Sequence, residues 1–146
     1  MGTETGGTVT GGPRWWLRLD GLVLLVGSLA LFATTGEPWW LVPLVILLPD
    51  AFMLGYLEGR RLGAFSYNLG HNYLLPAVVA GAGLGSGSDL LTALGLLWFA
   101  HIGMDRVAGY GLKYDDGFGH THLGWLRRGE GVAQAGSERA PSGRSV

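Results

Sequence analysis

The sequence contains no cysteine and few charged residues. The absence of cysteine excludes a disulfide framework, a cysteine-ligated zinc or iron–sulfur site and a cysteine nucleophile. Charged residues make up 14% of the 146 residues, whereas soluble domains carry about 25%. The net charge of −1 gives no sign of the basic domain that marks nucleic-acid binding, so no nucleic-acid partner is expected. The composition predicts a membrane protein in which His, Asp, Glu or Asn must hold any metal ion.

Four long apolar stretches account for most of the chain. They cover about residues 17–34, 38–57, 64–84 and 89–109. Each is long enough, at about 18–21 residues, for a helix to cross about 30 Å of hydrocarbon. The short linkers between them make consecutive helices antiparallel. The sequence therefore predicts an all-α, four-helix transmembrane bundle with up-down-up-down topology over residues 14–126, with the lipid bilayer as its partner.

The tails and the basic residues predict how this bundle is oriented. Residues 1–13 and 127–146 have little to bury and are expected to be disordered. Lys and Arg fall before the first apolar stretch, between the second and third, and at or after the end of the fourth: Arg14, Arg18, Arg60, Arg61, Arg106, Lys113, Arg127, Arg128, Arg139 and Arg144. Because Lys and Arg stay on the cytoplasmic side of membranes, we expect both termini to be cytoplasmic and the protein to lie in the cell membrane.

Polar residues recur at one depth of the predicted bundle. Asp50, His71 and His101 lie seven or eight residues from the expected cytoplasmic ends of their helices, which places them roughly 5–12 Å below that face at 1.5 Å per residue. Other polar residues of the same layer are Asp20, Asn68, Asn72 and Asp105. Because a carboxylate inside the bilayer costs about 2.5–3.5 kcal/mol, these side chains should face one another rather than lipid.

Imidazole and carboxylate side chains in such a layer are suitable ligands for zinc, iron or manganese. The glycine-rich segment after the fourth stretch adds His120 and His122, which could complete the site if the segment folds back under the bundle. The predicted metal ligands are therefore Asp50, His71, His101, Asp105, His120 and His122. The same residues except His120 are the catalytic candidates, with His122 as a carrier of protons.

Four strings of the sequence carry a family resemblance. They are PDAFMLGYLEG (49–59), YNLGHNYLLP (67–76), HIGMDRVAGYGLKY (101–114) and GHTHLG (119–124). They resemble the small bacterial membrane proteins grouped as domain of unknown function 4260, which implies a multi-helix integral membrane protein without an established activity. Thr121-His122 is also similar to a pair found in membrane-bound metal-dependent hydrolases, although the arginine that precedes the pair in that family is absent here.

Three functions are compatible with this pattern. The first is a metal-dependent hydrolase that acts on a lipid or lipid-linked substrate at the cytoplasmic leaflet. The second is a small proton or metal-ion translocator. The third is a structural or partner-binding membrane protein, in which the polar layer only holds helices together. The outer half of the bundle has only small polar residues such as Ser28 and Thr92, which favours a site open to one side over a path across the membrane.

Overall fold

The computed structural model describes residues 7–125, and these residues are mostly helical. The helices are α1 (Gly12–Phe32), α2 (Leu41–Val45), a 3₁₀ helix (Leu48–Glu58), α3 (Arg60–Gly70), α4 (Leu74–Ser86) and α5 (Asp89–Ala108). Two short antiparallel strands, β1 (His120–Thr121) and β2 (Gly124–Trp125), pair after α5. The chain is therefore not purely α-helical, because the segment after α5 forms a small β-ribbon.

Helix α5 is the central helix of the fold, since both α1 and α4 pack against it. Its start is capped by Ser88, whose hydroxyl oxygen accepts a hydrogen bond from the Leu91 amide and satisfies one of the free N–H groups of the first turn. The helix ends at Ala108, and the residue that follows, Gly109, adopts the left-handed conformation that glycine favours. The buried face of α5 runs from Ala93 to Arg106, so this helix carries both core residues and site residues.

Helices α1 and α5 approach each other closely at two glycines. A Cβ atom at Gly21 would collide with the Arg106 side chain, and one at Gly103 would lie 2.6 Å from the Leu25 amide nitrogen. Near the other end of α1, Phe32 belongs to one hydrophobic cluster with Leu97. The two helices therefore run in opposite directions, and their contact requires small residues at the crossing.

Three of the helical segments are long and apolar enough to cross a membrane: Gly12–Phe32, Leu41–Glu58 and Asp89–Ala108. They match the first, second and fourth predicted stretches. The second is irregular, because it consists of the short α2 followed by the 3₁₀ helix, which has Pro49 in its first turn. Proline has no N–H group to donate within a helix, which accounts for the interruption.

The third predicted stretch, 64–84, is not one continuous helix. Helix α3 ends at Gly70 and α4 begins at Leu74. Pro76 cannot donate the hydrogen bond that a continuous helix would require. Asn72 stabilises the break, because its Oδ1 accepts a hydrogen bond from the Leu74 amide while its Nδ2 donates to carbonyl oxygens at the end of α3. The break places His71 at a helix end rather than in mid-helix.

Part of the predicted N-terminal tail has a defined structure. Residues 7–13 belong to the described chain, and Gly12 already begins α1. The Val9 amide donates a 2.7 Å hydrogen bond to the His122 carbonyl oxygen, which fixes this segment against the loop after α5. The remaining parts of the predicted tails, 1–6 and 127–146, lie outside the described residues.

Candidate metal centre

Two histidines and two aspartates meet beside α5. Asp50 comes from the 3₁₀ helix, His71 from the residue after α3, and His101 and Asp105 from α5. The Nε2 atoms of His71 and His101 lie 3.0 Å apart. Asp50 Oδ1 lies 3.6 Å from Nε2 of His71 and 3.7 Å from Nε2 of His101. Asp105 Oδ2 lies 3.5 and 3.8 Å from the same two nitrogen atoms.

Three of these side chains form the group that could hold a metal ion. Among the described residues, Asp50, His71 and His101 offer one ligand atom each, and these atoms all lie within 4.8 Å of one another. The structure thus brings together four of the seven polar residues that the sequence places at one depth. The remaining polar residues of that layer lie elsewhere, since Asp20 is exposed on α1 and Asn72 is used at the helix break.

The ring of His71 is oriented by its own helix. Its Nδ1 lies 2.8 Å from the Tyr67 carbonyl oxygen, which can only accept a hydrogen bond, so Nδ1 carries the proton. In the neutral ring, Nε2 is therefore unprotonated and directs its lone pair at the cluster. The Tyr67 ring also stacks on the His71 ring with centroids 3.7 Å apart. Such a hydrogen bond to a backbone carbonyl is typical of histidines that bind metal.

Tyr67 contacts the cluster a second time through its hydroxyl group. The hydroxyl donates a 3.1 Å hydrogen bond to Asp105 Oδ2, the carboxylate oxygen that faces both histidines. The Tyr67 side chain is almost fully buried. It therefore holds one histidine by stacking and one aspartate by hydrogen bonding.

A cavity of about 730 Å³ opens beside the cluster. Asp50 and Asp105 line it, together with the apolar side chains of Met53, Met104 and Phe118. The two histidines are buried, whereas the Asp50 side chain is 39% exposed. A molecule that enters the cavity thus meets the carboxylates first, with the imidazoles behind them.

The loop after α5 folds back onto the helices and closes one side of this cavity. The Asn68 side chain on α3 fixes the loop, because it donates to the Lys113 carbonyl oxygen at 2.8 Å and accepts from the Lys113 amide at 2.7 Å. The Lys113 side chain lines the cavity together with Gly119 and Thr121 of the loop. Burial lowers the pKa of the Lys113 ammonium group to about 8, against the opposing effect of Asp105 and Asp50.

The two histidines of the loop have other contacts. His120 Nδ1 lies 2.8 Å from the Asp116 carboxylate, and its ring stacks on Trp125. His122 Nδ1 accepts a hydrogen bond from the Leu112 amide. Burial and, after it, the charge of Arg106 lower the pKa of His122. Among the described residues, the structure does not bring either histidine into the group that could hold a metal ion.

Two residues of the site were missed by the sequence analysis. Tyr67 lies four residues before His71, so their shared helix face was a readable signal. Lys113 had no spacing signal, because it approaches the site through the fold of the loop rather than from a helix. Both became evident only from the arrangement of α3, α5 and the loop.

Comparison with known proteins gives a family match over most of the fold. No curated protein and no solved structure matches the chain significantly. Residues 14–126, which span all the described helices except the first two residues of α1, match the family described as a domain of unknown function, DUF4260. The chain belongs to this DUF4260 family.

Proposed function

We propose that the protein is a metal-dependent hydrolase of the cell membrane that acts on a lipid or lipid-linked substrate. The observation that carries this proposal is the convergence of two imidazole nitrogens and two carboxylate oxygens beside an open cavity. Catalytic metal sites combine three protein ligands with one open position. We assign Asp50, His71 and His101 as the three ligands.

The ligand spacing supports this assignment. Zinc binds nitrogen and oxygen ligands at about 2.0–2.2 Å, so tetrahedral ligand atoms lie about 3.3–3.6 Å apart. The distances among Asp50 Oδ1 and the two Nε2 atoms are 3.0, 3.6 and 3.7 Å, so one lies within this range and the other two fall just below and just above it. The donor set of two nitrogens and one oxygen is also compatible with iron and manganese.

Asp105 has a separate role in this proposal. A divalent ion at the three ligands would lower the pKa of a bound water molecule to about 7 and polarise an ester bond. Asp105 Oδ2 faces the same centre and is oriented by the Tyr67 hydroxyl group. We assign Asp105 as the general base that accepts the proton of the water and returns it to the leaving group. His122 has no part, because its ring nitrogens face Leu112 and Arg106.

We further propose four membrane crossings with both termini in the cytoplasm. The broken segment α3 and α4 forms the third crossing, and the basic residues of the sequence fall on one side in this arrangement. Exposed tryptophans near both ends of α1 support its position, since Trp15 and Trp16 lie at its start and Trp39 and Trp40 follow its end. The site then lies near the cytoplasmic surface, where a lipid headgroup is within reach.

The experiment that tests the function compares metal content and hydrolysis in matched variants. The protein is purified in a nonionic detergent and analysed by mass spectrometry for zinc, iron and manganese. We expect about one ion per chain, and at least a tenfold lower content in His71→Ala and His101→Ala. Asp50→Asn tests the third ligand. Its matched control is Asp20→Asn, because Asp20 is exposed on another helix. The double variant His120→Ala/His122→Ala should keep its metal.

Activity is then measured in vesicles that contain phosphatidylethanolamine, phosphatidylglycerol and phosphatidic acid. We expect the metal-loaded protein to hydrolyse at least one of these lipids and the Asp105→Asn variant to lose activity while keeping its metal. Absence of metal from the wild-type protein, after growth with all three metals, would contradict the proposal. Equal hydrolysis by the wild type and His101→Ala would contradict it as well.

A further inference from the structure

Lys113 is a buried cation that has no hydrogen-bond partner within residues 7–125. Its residue is 5% exposed, and its Nζ atom has no hydrogen-bond acceptor among the described residues. Three aromatic rings surround the ammonium group: the centroids of Phe118, Tyr67 and Tyr56 lie 3.6, 4.3 and 5.1 Å from Nζ. The ring faces stabilise the charge but leave all three N–H donors unused.

Lys113 is also the one lysine of the sequence, in which every other basic residue is arginine. Lysine has a compact ammonium group that can approach an anion as a point charge, whereas the guanidinium group of arginine is planar and suited to bidentate contacts. Arg106 is buried as well, but among the basic residues Lys113 is the one that lines this cavity. The residue type fits a small, highly charged ligand group.

The charges around the cavity indicate the sign of that ligand. The cavity is lined by two carboxylates, Asp50 and Asp105, and by one cation, Lys113. A divalent ion at the cluster would balance the two carboxylates, so the charge of Lys113 would remain uncompensated. The ligand group that satisfies both the unused N–H donors and the metal is an anion with several oxygen atoms.

We propose that Lys113 and its three rings form the subsite for the phosphate group of the substrate, which is a phosphate monoester of a lipid alcohol. This inference rests on the proposed function, because it names the substrate class of the same site. Phosphate would offer oxygen atoms to the ammonium group and, at the same time, to a divalent ion held by Asp50, His71 and His101. The apolar side chains of Met53, Met104 and Phe118 on the cavity wall provide a surface for the first carbon atoms of the lipid.

The reaction consists of one substitution at phosphorus. The oxygen atom of water forms a bond to phosphorus, and the bond from phosphorus to the oxygen of the lipid alcohol breaks. Asp105 accepts the proton of the water and transfers it to the departing alkoxide. The products are inorganic phosphate and the lipid alcohol, and Lys113 binds the phosphate oxygens throughout.

A single lysine allows a direct test in the wild-type protein. The chain is labelled with ¹³C at the lysine Cε position, so one side-chain resonance reports Lys113. Dodecyl phosphate, inorganic phosphate and dodecanoate are titrated into the protein in nonionic detergent, with and without added zinc. We expect saturable shifts of this resonance with both phosphate compounds, and at least tenfold tighter binding of dodecyl phosphate than of inorganic phosphate.

Each alternative result overturns a stated part of the proposal. Dodecanoate binding as tight as dodecyl phosphate would remove the phosphate specificity. Inorganic phosphate binding as tight as dodecyl phosphate would make free phosphate, not a lipid, the ligand. No shift with any of the three compounds would show that Lys113 only packs against its aromatic neighbours.

A variant series separates this subsite from the metal centre. Lys113→Met removes the charge and keeps an apolar chain of similar length, and we expect about ten- to a hundredfold weaker binding of dodecyl phosphate with unchanged metal content. If metal binds and lipid is hydrolysed while Lys113→Met keeps the wild-type KM, the phosphate subsite is wrong and the hydrolase stands. If no metal binds but the lysine resonance responds to dodecyl phosphate, the hydrolase is wrong and the subsite stands.

Discussion

The Nε2 atoms of His71 and His101 face each other at 3.0 Å, with the ring planes inclined at 64°. Because the Tyr67 carbonyl oxygen fixes the proton of His71 on Nδ1, His71 Nε2 can act only as an acceptor in the neutral ring. His101 must then donate from its own Nε2. Its Nδ1 has no hydrogen-bond partner among the described residues. One N–H···N hydrogen bond therefore joins the two rings. A metal ion bound by both Nε2 atoms would take the place of its proton.

This relationship predicts a change of tautomer on metal binding. Addition of zinc should leave His71 protonated on Nδ1 and move the proton of His101 from Nε2 to Nδ1, since both Nε2 atoms become ligands. Ring ¹⁵N spectra of the histidine-labelled protein, prepared without a histidine tag, measure this change. The resonances of His120 and His122 serve as internal controls and should not move. A zinc-induced change confined to the loop histidines would contradict the assignment of the centre.

Replacing Lys113 by methionine should stabilise the protein at neutral pH. The buried ammonium group is an unpaired charge, whose desolvation is unfavourable to folding. Its pKa is about 8 in the folded protein and 10.5 in the unfolded chain, so the unfolded state binds more protons between these values and wild-type stability rises with pH there. The melting temperature of Lys113→Met should exceed that of the wild type below pH 8, and the difference should vanish towards pH 10.5.

The pH series also tests the environment of the ammonium group. Tyr56, Tyr67 and Phe118 surround it, and the carboxylates of Asp105 and Asp50 act on it from the cavity. Subtracting the variant curve from the wild-type curve removes the titration that both proteins share. A difference that is constant from pH 6 to 10.5 would show that Lys113 is not a buried charge.

Asn72 should be important for the stability of the helix break. Asn72→Ala removes the hydrogen bond to the Leu74 amide and those to the carbonyl oxygens of Asn68 and Leu69. We expect a loss of about 0.5–2 kcal/mol, the range for a side chain that caps a helix start. Thermal unfolding in detergent measures it. Ser86→Ala, which removes hydrogen bonds within α4 only, should cost less than Asn72→Ala, and an equal loss in both variants would contradict the role of Asn72.

The proposed topology can be checked with a reporter enzyme that is active only outside the cytoplasm. Fusions follow Gly36, Gly59, Gly87 and the last residue, which correspond to the three linkers and the C-terminus. Activity is expected after Gly36 and Gly87 and not at the other two positions, because the basic residues lie on the side of Gly59 and the C-terminus. Activity after Gly59 would place the metal centre at the opposite membrane surface.

Depth and helical spacing placed the four residues of the cluster in one layer, together with Asp20, Asn68 and Asn72, which are not part of it. His101 and Asp105 share one face of α5 because they are four residues apart. Asp50 and His71 could be added because a common distance from the membrane surface is readable from the sequence. The three long apolar segments were predictable because length and polarity are local properties of the sequence.

The contacts that depend on chain folding could not be predicted. Residues 64–84 were predicted as one stretch, whereas the separation of α3 from α4 depends on Pro76 and on the hydrogen bonds of Asn72. The approach of α1 to α5 at Gly21 and Gly103 requires knowledge of which helices are neighbours. The loop histidines were expected at the metal centre because their residue type fits, whereas their positions are determined by Asp116, Trp125 and Leu112.

The pairing of Val9 with His122 has a consequence for biosynthesis. This hydrogen bond joins the beginning of the described chain to its end, and Asp50 and His71 are translated well before the α5 residues that complete their cluster. With the proposed four crossings, a nascent chain would hold these two polar side chains in the bilayer, without their α5 partners, until the last crossing is inserted. The cluster can therefore be completed only after α5 has been made, and the Val9–His122 hydrogen bond, which needs a residue beyond α5, can form only after that.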